Sequence, residues 1–142
     1  MNEEANPTFL GLSESGKGPC DVVILPIPFE MTTSWGEGTE HGPAAAIEAS
    51  SQVELYDPLL KEELPCGLVF HTASAWSSEA GTLREQLDSI RDYLFPWFNA
   101  EQFPIILGGE HGLLPPVVEA LRNHPAIAGD LSKLTIVQVD AH

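Results

Sequence analysis

Two short stretches carry side chains that could do chemistry: Gly108-Gly109-Glu110-His111 and, at the end of the sequence, Asp140-Ala141-His142. In each, an apolar run leads directly into the polar groups. Asp140 and His142 stand at i and i+2, so in an extended segment both would point to the same side. A mixture of imidazole and carboxylate suits a borderline or hard divalent ion such as manganese, zinc or ferrous iron, and the lack of a thiolate argues against a structural zinc site. His111 taken alone could equally be a loop histidine hydrogen-bonded nearby. Set beside Asp140 and His142, each group following an apolar run, it points to metal ligation by His111, Asp140 and His142. Three ligands are too few for a stable two-metal centre, so the terminal motif reads as one cut in half.

Such a site needs a scaffold that brings the ends of two apolar runs together. Four segments are predicted as strands, residues 22–27, 67–70, 104–107 and 134–139. Their apolar residues are continuous rather than alternating, as expected of strands buried on both faces of a parallel sheet. Helices are predicted over residues 44–56, 82–98 and 116–123, the first opened by Pro43 and the second carrying Leu83, Leu87, Ile90, Leu94 and Phe98 at helical spacing. Pro96 is expected to kink or end that second helix near Phe95, because proline lacks the amide donor. Strand alternating with helix predicts an α/β fold, a three-layer parallel sheet flanked by helices. Ligands of such sheets bind outside the carboxyl ends of the strands. If the strands 104–107 and 134–139 are neighbours, the three candidate ligands converge on one edge, with Gly108 and Gly109 letting the backbone turn tightly there.

Composition narrows the partners. The 142 residues hold 21 acidic against 6 basic side chains, a net charge of -15, which argues against nucleic acid or an anionic membrane surface and is compatible with a cationic ligand. No apolar run approaches the roughly 18 residues that span a bilayer, and Glu3 and Glu4 stand where a secretory signal would carry basic residues, so a cytoplasmic protein is expected. Cys20 and Cys66 lack CxxC spacing and are expected as buried or half-buried thiols rather than a disulfide or zinc knuckle. The loop over residues 29–43 is rich in Gly, Thr and Ser. Its Phe29 and Trp35 could line a pocket or pack against the core, and Glu30, Glu37 and Glu40 could attract a cation or simply be solvated.

Gly108-Gly109-Glu110-His111 and Asp140-Ala141-His142 resemble the first two metal motifs of the ureohydrolases, the arginase and agmatinase family. A third stretch, from Pro28 through Thr32-Thr33-Ser34-Trp35-Gly36-Glu37-Gly38-Thr39-Glu40-His41-Gly42-Pro43 to Ile47, is similar to the first loop of agmatinases, where a Gly-Thr-Arg-x-Gly-Pro pattern opens the first long helix. Glu110, where arginases usually have aspartate, and the following Pro115-Pro116-Val117-Val118 lean toward agmatinase. The sequence departs from the family in three places: Glu40 where arginine is usual, Gly112 where serine or a larger residue is usual, and His71-Thr72-Ala73 where many relatives have a Gly-Asp pair.

The resemblance implies a manganese-dependent amidinohydrolase with two Mn2+ ions per complete site, splitting a small cationic guanidino substrate such as agmatine into urea and an amine through a metal-activated hydroxide. It implies that His111 binds one ion, His142 the other, and that Asp140 bridges them. The remaining ligands and the catalytic and substrate-binding groups are then expected beyond His142, making residues 1–142 the N-terminal portion of one ureohydrolase domain, broken inside the second metal motif and inactive by itself. Arginine, guanidinobutyrate and formiminoglutamate are alternative substrates, and a non-catalytic truncated or degenerate relative is the alternative to an enzyme. The family also implies a homo-oligomer, trimer or hexamer, at full length.

Overall fold

The run Val-Val-Ile-Leu-Pro-Ile forms β1 (Val22–Ile27), and all six of its residues are buried. The computed structural model describes residues 7–14, 19–79, 81–137 and 139. The first helix, α1 (Gly42–Ser50), carries Pro43 in its first turn, and the second, α2, occupies Leu83–Phe98. Between them lie a small antiparallel hairpin, β2 (Tyr56–Asp57) with β3 (Glu62–Glu63), and a strand, β4 (Phe70–Thr72). Then come β5 (Phe103–Gly108) and α3 (Leu114–Leu121). The main sheet has the order β4-β1-β5 with both pairings parallel, so β1 is central and its continuous hydrophobicity follows from being covered on both faces.

Alternation along β1 divides the core. Val23, Leu25 and Ile27 pack in one cluster with Ile90, Leu94 and Phe98 of α2 and Ala120 of α3, each large side chain contributing about 1.5–3 kcal/mol of burial. Pro26 faces the other way, toward a cavity it shares with Pro43, Ala44 and Ile47 of α1. The result is the expected sheet between layers of helix. Pro26 is tolerated in a central strand because the β4 ladder stops at the pair Ile24 and Thr72; beyond it no ladder bond on that side needs the missing amide, and the Pro26 carbonyl accepts from the Trp76 amide at 2.9 Å.

Several boundaries differ from expectation, each for a local reason. Helix α1 stops at Ser50 rather than at residue 56: the Ser50 hydroxyl donates to the Ile47 carbonyl at 2.6 Å and the Ser51 hydroxyl to the Glu48 carbonyl at 2.7 Å, satisfying the last turn by side chains. The hairpin β2–β3 follows, its turn held by the Asp57 carboxylate, which accepts from the Leu59 and Leu60 amides. Strand β4 begins only at Phe70, because Cys66 and Gly67 both sit at positive φ and the chain is still turning there. Pro96 does not end α2: two more residues remain helical, Phe98 is buried in the core, and the Asn99 side chain donates to the Phe95 carbonyl at 2.8 Å. At that position the proline forfeits a single helical bond near the end, and the packing of Phe98 offsets it. Residues 134–137 and 139 join no sheet, contrary to the strand predicted over 134–139. Cys66 is exposed rather than buried, Cys20 is half-buried, and both are free thiols. Among the described residues no helix is long and apolar enough to cross a membrane.

Candidate metal centre at the carboxyl edge of the sheet

The ends of β1 and β5 are zipped together past the last ladder pair. The Gly109 amide donates to the Ile27 carbonyl at 3.0 Å, and the Glu110 amide donates to the Phe29 carbonyl at 2.9 Å. The approach is so close that a Cβ on Gly109 would lie 2.2 Å from the Phe29 carbonyl oxygen, which is why glycine is needed there. The turn then delivers His111 to the start of a short 3-10 helix, His111–Leu113, with its side chain exposed at the carboxyl edge. Leu113 two residues on is buried and anchors that turn in the core.

Glu110 is 7% exposed and charged, an arrangement that is costly unless every oxygen is satisfied. It is satisfied by the loop after β1: the Met31 and Thr32 amides donate to its Oε2 at 3.0 and 2.7 Å, and the Thr32 hydroxyl donates to its Oε1 at 2.5 Å. Burial pushes the Glu110 carboxyl up, but the three bonds from Thr32 and Met31 outweigh it and hold the group below the ordinary carboxylate value. Glu30 does comparable work within the same loop. Its carboxylate accepts from the Gly38 and Glu40 amides at 2.8 to 3.0 Å; these bonds, the one from Glu40 foremost, outweigh a smaller desolvation and keep its acid form disfavoured. From the sequence, Glu110 reads as a family marker and Glu30 as a charge that either attracts a cation or is solvated. Their partners lie 78 and 79 residues away for Glu110 and 8 and 10 for Glu30, separations that no local pattern signals.

Three cavities open along this edge, of about 400, 640 and 340 Å³, and Glu40 lines all of them. The first lies over the ends of β1 and β4 and is closed on one side by Thr8 and Glu14 of the N-terminal segment. The second is the acidic cleft of the loop itself, bounded by Glu30, Glu37 and Glu40, and the third runs from there to Trp76. Phe29 is core, 1% exposed and edge-on to Trp76 at 6.2 Å between ring centroids, whereas Trp35 stands 94% exposed at the loop tip. His111 lines none of these three cavities; it sits one strand over, at the end of β5. Asp140 and His142 lie outside the described residues, and among the described residues no three His, Cys, Asp or Glu side chains are grouped for an ion.

A parallel sheet under helices, with a histidine turn and an acidic cleft side by side along its carboxyl edge, defines an α/β protein whose ligands meet the ends of the strands. The arginase family model matches residues 20–142, and the chain belongs to the arginase family. It is 36% identical over 126 residues to the N(1)-aminopropylagmatine ureohydrolase of Synechocystis sp., covering 85% of this chain and 39% of that protein. It is 33% identical over 122 residues to the agmatinase of Bacillus cereus, with the same two coverages. The chain thus spans about two fifths of the length of these relatives. Its fold matches that of a formiminoglutamase from Trypanosoma cruzi, solved with Mn2+, at a TM-score of 0.70 and 20% identity over 85% of this chain and 41% of the other.

Proposed function

We propose that this chain is the N-terminal portion of an agmatinase-like, manganese-dependent ureohydrolase, with His111, Asp140 and His142 as metal ligands. The observation that carries the proposal is the placement of His111: an exposed imidazole at the carboxyl end of β5, set there by a glycine turn that only a close β1–β5 approach requires. An imidazole donor with no thiolate nearby suits manganese chemically. When bound, the ions would supply Lewis-acid activation of water for attack on a guanidinium carbon. The chain's own contribution is to hold His111 at the sheet edge and to present Glu37 and Glu40 along an adjoining cleft, where carboxylates favour a cationic substrate such as agmatine. Agmatine hydrolysis would give urea and putrescine. The similarity to agmatinase and aminopropylagmatine ureohydrolase supports a substrate with a guanidino group and a cationic tail. By the same family argument we propose that the whole enzyme is a homo-oligomer, trimer or hexamer.

The test is metal binding followed by urea release. Titration with Mn2+, read by the electron paramagnetic resonance of the free ion, should show binding to the wild-type chain that His111→Ala weakens at least about tenfold, one lost ligand being worth more than 1.4 kcal/mol. Joined to the remainder of a ureohydrolase domain, the chain should release urea from agmatine in a manganese-dependent way, and the 142-residue chain alone should release none. Unchanged manganese affinity in His111→Ala would remove His111 from the ligand set.

A further inference from the structure

Glu110 is buried, charged and spent on hydrogen bonds that none of the proposed chemistry uses. We infer that it is a positioning residue: it locks the loop after β1, which forms the wall of the acidic cleft, to the turn that carries His111, so that cleft and histidine are held as one body. The inference deepens the proposed function, resting on it only for the identity of the ion at His111.

Three observations support the lock. First, both Glu110 oxygens are used, and all three donors come from Met31 and Thr32, on the opposite loop. Second, Met31 and its neighbours Glu30 and Thr33 line the cleft, while His111 is the next residue after Glu110, so the carboxylate joins the two by the shortest available path. Third, space has been left for it. A Cβ on Gly112 would lie 3.0 Å from Glu110 Oε1 and 3.5 Å from the Thr32 hydroxyl oxygen, so glycine at this position leaves the carboxylate and hydroxyl uncrowded. The backbone bonds of Gly109 and Glu110 to Ile27 and Phe29 fix the strand ends, but they stop at Phe29. From Met31 onward, the bonds from the Met31 and Thr32 amides and the Thr32 hydroxyl to Glu110 continue the link between the loop and the β5 turn.

The experiment is amide hydrogen exchange at single-residue resolution on the 142-residue protein, comparing wild type with Glu110→Gln and Thr32→Val. Glutamine keeps the shape but offers one acceptor oxygen and turns an NH2 toward donors. Exchange at the Met31 and Thr32 amides should accelerate about tenfold or more in Glu110→Gln, and by less in Thr32→Val, which removes only the hydroxyl bond. The α2 amides of Ile90 and Leu94 should be unaffected, which separates release of the loop from loss of the fold. Unchanged exchange at Met31 and Thr32 in both variants, with α2 intact, would overturn the inference; if Glu110→Gln does not fold, Thr32→Val decides it by the same criterion. A second measurement reads the consequence at the histidine. Manganese affinity should fall about tenfold in Glu110→Gln, and an affinity equal to wild type would show that the lock does not position His111. If the chain joined to the remainder of a ureohydrolase domain binds no manganese, the proposed function fails, while the metal-free exchange result still decides the lock.

Discussion

Gly109 offers the sharpest test of how the carboxyl edge is built. A methyl group there would lie 2.2 Å from the Phe29 carbonyl oxygen and 3.0 Å from the Phe29 carbonyl carbon and nitrogen, all backbone atoms of a residue that is itself buried. Ordinary contact needs a separation larger by roughly 1 Å, so β1 and β5 must part by that amount at their ends. Overpacking of this kind costs about 1–3 kcal/mol, and the two backbone bonds from Gly109 and Glu110 would be stretched for up to about 1 kcal/mol each. Reduced freedom of the unfolded chain returns roughly 0.4–1 kcal/mol. The net expectation for Gly109→Ala is about 3 kcal/mol of destabilisation, or close to 10 °C in Tm for a chain of this size. Two companions calibrate it. At Gly108 the added carbon meets the Leu113 Cδ1 at 2.6 Å, the end of a side chain that can rotate, so Gly108→Ala should cost about 1 kcal/mol; at Gly81 nothing lies within 4 Å, and Gly81→Ala should fall within about 0.5 kcal/mol of wild type. Urea denaturation followed by far-ultraviolet circular dichroism gives all three values. If Gly109→Ala is no less stable than Gly81→Ala, the close approach of the two strand ends is wrong, and with it the placement of His111.

Two further expectations concern the helix that covers the sheet. Thr82 caps α2 in a reciprocal box, accepting from the Glu85 amide while the Glu85 carboxylate accepts from the Thr82 amide, so Thr82→Ala should cost about 1 kcal/mol in the same urea assay and leave Thr32 and Met31 exchange unchanged. Tyr93 on α2 donates its hydroxyl to the Ser74 carbonyl at 2.9 Å, and desolvation pushes its pKa up to about 12. A raised folded-state pKa favours the protonated form, so its stabilisation is complete below about pH 10, the unfolded value, and is lost as pH rises through 12. Discounted for partial exposure, the loss is about 1–2 kcal/mol, and Tyr93→Phe should show a correspondingly shallower fall in stability between pH 10 and 12 than wild type. Equal slopes would show that the hydroxyl is not desolvated.

What the sequence disclosed depended on how local its cause was. β1 was legible to the residue because six consecutive apolar side chains have one reading, a strand covered on both faces. The start of α2 was legible to within one residue because Leu83, Leu87, Ile90, Leu94 and Phe98 recur at helical spacing. Its end at Phe98 matched the helical spacing, but the break expected at Pro96 did not follow, since the effect of that proline depends on what Phe98 packs against, which lies elsewhere in the chain. The site divided in the same way. The position of His111 after β5 could be inferred from the glycine pair ahead of it, and the likeness to a known family from three motifs in order. The functions of Glu110 and Glu30 could not, because a carboxylate reads the same whether it faces water or collects amides from a distant loop; only the burial of Glu110 and its bonds to Met31 and Thr32 separate the two cases.

The predicted strand at residues 134–139 makes the distinction concrete. Its composition resembles that of β1, with Ile136, Val137 and Val139 contributing branched apolar side chains, yet these three are 53%, 82% and 97% exposed and take part in no ladder. β-propensity measures how well side chains suit a pleated, half-buried surface, and it becomes a strand only where a neighbour supplies hydrogen bonds and a layer supplies cover. β1 has β4 and β5 beside it and helices on its faces; β5 pairs with β1 along one edge and with no described strand along the other. Residues 134–137 and 139 therefore keep the sequence of a buried strand without its environment. Since Asp140 and His142 follow directly, their positions relative to His111 depend on a partner strand for this segment. A chain in which that partner is supplied should protect the amides of residues 135–137 from exchange and tighten manganese binding together; protection without tighter binding would separate the terminal motif from the metal site.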